Sequence, residues 1–167
     1  GLDFNRNFSS PEAQVEAFSR QLALASEVGK PLFLHERDAF DTQFAMLKKH
    51  RANFSEAVIH CFTGSHQDLR AYLSLGMYIG VTGWVCDERR GAQLQDAVKF
   101  IPDDKLLIET DTPYLTPRTL PNRLRKRKNE PANLGHIAST IAALRGQSVE
   151  HIREMTMSNS KRFFALN

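Results

Sequence analysis

The feature that most restricts the fold of this chain is the repeated alternation of short apolar runs with amphipathic segments. Four runs of strand length occur: Pro31-Leu32-Phe33-Leu34-His35, Ala57-Val58-Ile59-His60-Cys61-Phe62, Met77-Tyr78-Ile79-Gly80-Val81-Thr82-Gly83 and Leu106-Leu107-Ile108-Glu109. Each is apolar at consecutive positions, the pattern of a strand buried on both faces. Between them, apolar residues recur every three or four positions: Phe40, Phe44 and Leu47; Leu69, Tyr72 and Leu73; Leu94, Val98 and Ile101. Ahead of the first run, Ser9-Ser10-Pro11-Glu12 opens a helix. Ser9 and Glu12 stand at capping-box spacing, Val15, Phe18, Leu22 and Ala25 share a face, and Gly29 is the stop. Two closing helices are expected, one around Leu134, Ile137, Ile141 and Leu144 up to Gly146, the other from Ser148 to about Phe163. Strands separated by a helix each time are parallel, so the class is α/β.

Two architectures satisfy this pattern, a doubly wound open sheet and a (β/α) barrel. No Gly-rich phosphate fingerprint follows any of the strands. The polar residues instead stand at successive strand C-terminal ends, where a barrel keeps its active site. A barrel is therefore the expectation.

Composition narrows the class further. The 167 residues are 41% hydrophobic with 11 Phe, enough for a sizeable core and too much for a disordered tail. No apolar run approaches the roughly 18 to 20 residues of a membrane span, and no secretory signal pattern is visible. Two cysteines, Cys61 and Cys86, form no disulfide framework, and a soluble cytoplasmic protein is expected. The net charge of +3 is unevenly distributed. Arg118, Arg123, Arg125, Lys126, Arg127 and Lys128 lie within one Pro- and Arg-rich loop between Asp111 and Asn129, leaving 16 basic residues against 19 acidic ones elsewhere. Such a loop suits a polyanion such as a nucleic-acid backbone, with a solvated surface loop as the alternative.

Two of the six histidines stand out. His35 and His60 each end an apolar strand, in register with Phe33 and Val58 two residues earlier, so both imidazoles are expected in one barrel mouth. His50, His66, His136 and His151 fall in helices or at helix ends, where capping or solvation is the default. The fourth run ends Glu109-Thr110-Asp111, which places two carboxylates on one face, costly unless a cation or donors meet them. His35, His60 and Asp111 together offer the mixed nitrogen and oxygen ligation of hydrolytic Zn, Mn or Mg sites.

Six segments in order resemble the TatD family: Gly1-Leu2-Asp3-Phe4-Asn5-Arg6-Asn7-Phe8-Ser9, Leu34-His35-Glu36-Arg37-Asp38, His60-Cys61-Phe62-Thr63-Gly64, the stretch from Tyr78 to Arg90, Leu107 to Leu115, and Arg127-Lys128-Asn129-Glu130-Pro131-Ala132. The resemblance covers the whole chain. It implies an amidohydrolase-like (β/α)₈ barrel and a divalent-metal-dependent deoxyribonuclease, with 3′-to-5′ exonuclease action on single-stranded DNA and, as a further substrate, RNA. It also implies one or two metal ions, magnesium first and manganese or zinc as alternatives, and a monomer when complete. By the same resemblance His35 and His60 are ligands of one metal, and Asp111 binds the other and takes the proton of the attacking water. Asp3, Arg37, Glu109, Asn129 and Glu130 match family positions around substrate or ligands. The basic loop and Trp84 are candidate nucleic-acid contacts.

The family pattern also has parts this chain lacks, a His-x-His pair on strand one and a bridging Glu just ahead of the Gly-Leu-Asp segment. The expectation is a single TatD-like domain over residues 1–167, N-terminally incomplete, holding strands five to eight and the tip of strand four. A (β/α)₈ barrel typically needs about 250 residues. Two alternatives stand beside the nuclease: an inactive half-barrel, prone to self-association through its sheet edges, and a metal-dependent amide or ester hydrolase.

Overall fold

The computed structural model of the chain describes residues 1–6, 8–122 and 128–166. A short strand β1 (Leu2–Asp3) leads into helix α1 (Pro11–Val28). The cap of α1 is Ser10, not Ser9: its side chain accepts from the Ala13 N–H, and Pro11 fills the first turn, where its missing N–H costs nothing. Gly29 closes α1 at φ 66, the left-handed conformation that glycine adopts without a Cβ clash. The apolar run that follows is interrupted at His35, giving β2 (Leu32–Leu34) and β3 (Glu36–Arg37).

Helix α2 (Phe40–Lys49), strand β4 (Ala57–Ile59), helix α3 (His66–Ser74) and strand β5 (Tyr78–Val81) continue the alternation. A reciprocal capping box between Ser65 and Asp68 starts α3. The expected helix around Leu94 to Ile101 is shorter, α4 (Ala92–Ala97) tightening into a 3₁₀ turn, Val98–Phe100. Strand β6 (Leu106–Ile108) and helices α5 (Leu134–Arg145) and α6 (Val149–Phe164) complete the described elements.

All ladders are parallel. β1 pairs with β3 (Asp3 opposite Arg37), and a four-stranded sheet runs in the order β2-β4-β5-β6. Its register sets Leu34 opposite Ile59, Ile59 opposite Ile79, and Val81 opposite Ile108. Strands adjacent in sequence are adjacent in space, with a helix between each pair, which makes the sheet an arc of a (β/α) barrel. One face carries Ile59, Ile79, Val81 and Leu106 and packs with Leu22, Tyr72, Ile137 and Ile152 into the main core. The alternate residues Val58, Tyr78 and Leu107 form a separate small cluster with Phe163 of α6. All C-terminal strand ends therefore open on one side. Among the described residues no helix is long and apolar enough to cross a membrane.

Candidate active site

A cleft of about 580 Å³ opens at the strand C-terminal ends, with His35, His60, Asp111, Arg37, Trp84 and Tyr114 in its lining. His60 follows β4 directly, on the same side as Val58, and its N–H donates to the Leu34 carbonyl, extending the ladder by one residue. Its Nδ1 lies 2.7 Å from Glu109 Oε2, and its Nε2 lies 3.7 Å from Asp111 Oδ1. The other Glu109 oxygen accepts the Cys61 N–H at 2.6 Å.

Room for Glu109 is made by Gly80 in the middle of β5. A Cβ there would come within 2.3 Å of Glu109 Oε1. A glycine inside an otherwise apolar strand marks such a close approach, and it is the sequence signal for a role of Glu109 that motif matching leaves unassigned. Strand alternation accounts for Glu109, whose N–H still bonds to the Val81 carbonyl. It does not account for Asp111, which lies beyond the strand at φ 56; Cys61 and Asp38 share this left-handed conformation. Three such residues at strand ends are the kind of strained backbone that collects at functional sites.

A carboxylate on Nδ1 places the ring proton there and leaves the Nε2 lone pair facing the cleft. A lone pair opposite the Asp111 carboxylate is one acceptor facing another, an arrangement that calls for positive charge between them. The titration of His60 reflects the same pull. Burial pushes its pKa down, but the hydrogen bond and charge of Glu109, with the charge of Asp111, outweigh burial and hold it above the ordinary 6.5.

His35 is bound differently. Its Nε2 lies 3.0 Å from Asp3 Oδ2, and it is more exposed than His60. Asp3 is fixed by the Asn5 and Arg6 N–H groups on Oδ1, while Gln14 bonds both its N–H and its carbonyl. Burial raises the Asp3 pKa, and the donors from Arg6, His35 and Asn5 more than reverse this, leaving it below 3.8. The His35 and His60 rings are 6.2 Å apart between centroids. Among the described residues no three His, Cys, Asp or Glu side chains are grouped closely enough to hold a metal ion. The donors named from the sequence are thus brought to one cleft as two assemblies, Asp3 with His35, and Glu109 with His60 and Asp111. The donor chemistry suits a divalent cation, and His60 Nε2 facing Asp111 is where it fits best.

The remaining candidates fall into place unevenly. Asn129 is buried, its Nδ2 donating to the Thr110 and Tyr114 carbonyls and its Oδ1 accepting from Glu130 N–H and Asn133, so it ties the return of the long loop to the segment carrying Asp111. Glu130 is exposed and precedes a 3₁₀ turn, Pro131–Asn133. Arg37 is exposed on the cleft rim, and Trp84 stands half-buried in its wall on a 3₁₀ turn, Gly83–Cys86. Arg118 and Lys128 are exposed, whereas Arg123, Arg125, Lys126 and Arg127 lie outside the described residues. Both cysteines are free; burial pushes the Cys61 thiol up to about 11, so it sits in the cleft as a neutral thiol.

The profile of the family described as TatD related DNase matches residues 1–165. The chain is 50% identical over its whole length to the 3′-5′ ssDNA/RNA exonuclease TatD of Rahnella sp. and equally to the protein of that name from Klebsiella pneumoniae, and it spans 64% of the length of each. Among solved structures it superposes over its full length on a TatD homologue from Escherichia coli, with a TM-score of 0.89, 27% identity and 62% of that chain covered. A TatD family hydrolase from Entamoeba histolytica gives 0.87 and 26%, again with 62% covered.

Proposed function

The chain belongs to the TatD-related DNase family, and on that premise we propose that it is the metal-dependent phosphodiesterase portion of a nuclease that shortens single-stranded DNA or RNA from the 3′ end. The observation that carries this reading is His60, held through Nδ1 by Glu109 and presenting Nε2 to Asp111 at the mouth of the sheet. One or two divalent cations, magnesium first with manganese or zinc as alternatives, held by His35 and His60 on one side and by Asp111 on the other, would polarise the phosphoryl oxygen and make a bound water acidic.

The chain's own groups supply orientation, proton acceptance and charge. Glu109 fixes the tautomer and the rotation of His60, and is itself held by the Cys61 N–H. Asp111 accepts the proton of the attacking water at the free oxygen of its carboxylate. Asp3 holds the His35 ring through Nε2, the opposite ring nitrogen from the one Glu109 holds on His60. Arg37 and Arg6, on the rim, neutralise the phosphate that enters the cleft.

The test uses the natural protein that carries these residues, with a 5′-labelled single-stranded oligonucleotide and magnesium. The expected result is a ladder shortened from the 3′ end, abolished by chelation and reduced about 10³-fold by His60→Ala. Near wild-type turnover in His60→Ala, or hydrolysis of a carboxyl ester and not of the oligonucleotide, would overturn the reading.

A further inference from the structure

Beside the catalytic cleft lies a second, polar groove of about 570 Å³; the two share Glu36, Arg37, Thr63 and Trp84 in their walls, and Asp38, Asp41 and Asp68 add further carboxylates to the groove. Its far wall is Arg90, whose guanidinium lies 4.8 Å over the Trp84 ring. Behind both residues is Asp87, a carboxylate only 4% exposed, within the Tyr78 to Arg90 segment. Its Oδ1 accepts the Arg89 and Arg90 N–H groups at 3.0 and 3.2 Å. Its Oδ2 receives Nε and Nη2 of Arg90 at 3.4 and 3.5 Å. The Nε atoms of Arg89 and Arg118 each lie 3.8 Å from Oδ1.

Around Asp87 three guanidiniums face that carboxylate and the neighbouring Glu88, a local positive surplus on the Trp84 side, while Glu36, Asp38, Asp41 and Asp68 keep the rest of the groove acidic and leave the Arg90 rim as the place where a phosphate is attracted. All three arginines are well exposed, so the surplus is presented at the surface. The turn beneath them is tightly built. Thr82 receives the Trp84 N–H, and the Asp87 N–H returns to the Trp84 carbonyl. At Gly91 a Cβ would meet the Asp87 and Trp84 carbonyls at 2.6 Å, so only glycine fits the close approach of these strands of backbone.

We infer that Asp87 is the positioning residue of a Trp84–Arg90 wall that grips the single strand next to the scissile phosphate, Arg90 taking a phosphate and Trp84 stacking an unpaired base. The inference rests on the nucleic-acid reading above and adds the source of its preference for single strands. A base inside a duplex keeps both faces covered by its neighbours, whereas an unpaired base is free to stack on an aromatic ring. A guanidinium already oriented by a buried carboxylate loses little freedom when it meets a phosphate. Arg118 extends the same hub to the start of the basic loop, so Arg118 and the wall share one group.

The test is binding of oligothymidylate to the natural protein in EDTA, where no cleavage occurs, followed by steady-state kinetics with magnesium. Wild type is expected to bind the single strand better than the matching duplex. Asp87→Asn, Arg90→Gln and Trp84→Ala should each weaken binding about tenfold, with Trp84→Phe recovering most of the loss. Arg90→Gln should also reduce the slope of log affinity against log salt by about 0.7, one lost phosphate contact. In turnover the loss is expected in KM more than in kcat, a split that a merely structural role would not produce. Unchanged affinity and salt slope in Arg90→Gln, a surface change, would overturn the inference even if Asp87→Asn or Trp84→Ala fails to fold. A wild type that binds single strands through this wall and never shortens them would overturn only the nuclease reading.

Discussion

At the end where β6 begins, Asp103 is surrounded by donors; at the end where it finishes, Glu109 and Asp111 share one histidine. Asp103 Oδ1 pairs with Arg145 and its Oδ2 lies 3.0 Å from His151 Nε2. Arg145, nearly buried, also donates to the Val98 and Ile101 carbonyls. This end ties the turns after α4 and before β6 to α5 and α6. At the other end an imidazole lone pair faces a carboxylate 3.7 Å away. The same side-chain type is satisfied where it joins elements and left short of positive charge where chemistry is expected, the division of labour usual between the two faces of such barrels.

The largest effect expected from this contrast is on stability at the first end. Arg145→Met keeps most of the side-chain volume and strands two backbone carbonyls and Asp103 without their donor. Buried acceptors left unmet cost about 1–3 kcal/mol each, so urea denaturation should show a loss of about 3 kcal/mol with turnover per folded molecule unchanged. A fully folded Arg145→Met protein with little activity would mean that the two ends are coupled and the contrast is wrong.

A smaller and opposite result is expected from Glu109→Gln. The amide oxygen can still accept from Cys61, but its NH₂ then faces His60 Nδ1. The imidazole is pushed to the other tautomer, with a proton on Nε2 pointing at Asp111. Loss of such an outer carboxylate typically costs about 10–100-fold in activity or metal affinity, with little change in thermal stability. If Glu109→Gln retains wild-type rates, the histidine tautomer is not what this end of the sheet controls.

Much of this was legible in the sequence because it depends on local pattern. The alternation of apolar runs and 3–4 periodic segments is read directly from residues such as Phe18, Leu22 and Ala25, and the strands and helices formed where those periods lie. His35 and His60 were legible as cleft residues because a period of two is kept up to the strand end. Asp111 lies past that limit, where φ and not alternation decides direction. Asp87 was illegible for a different reason: its partners Arg89 and Arg90 are sequence neighbours, but its burial depends on Arg118 and on a turn whose shape no periodicity encodes. The cap at Ser10 in place of Ser9 is a one-residue ambiguity between adjacent serines, settled by which hydroxyl reaches a free N–H.

The smallest expected effect concerns the pH dependence of the paired end. The His151 hydrogen bond, with Gln147 and the charge of Arg145, holds the Asp103 pKa below 3.8, burial opposing. A carboxyl whose pKa is lower folded than unfolded contributes stability that is fully present above the unfolded value, about 3.9 for Asp, and that disappears as pH falls through the folded value. Asp103 is almost half exposed, so the contribution is modest. Asp103→Asn removes the charge at all pH values. The stability gap between wild type and Asp103→Asn, from urea midpoints, should therefore be present near pH 6 and close as pH drops below the ordinary range of an Asp carboxyl. Comparing the two proteins at each pH cancels the titration of every other carboxylate. A gap that stays constant into acid would show that Asp103 acts through hydrogen bonds its amide can also make, and the charge pairing at this end would lose its claim to stabilise the fold.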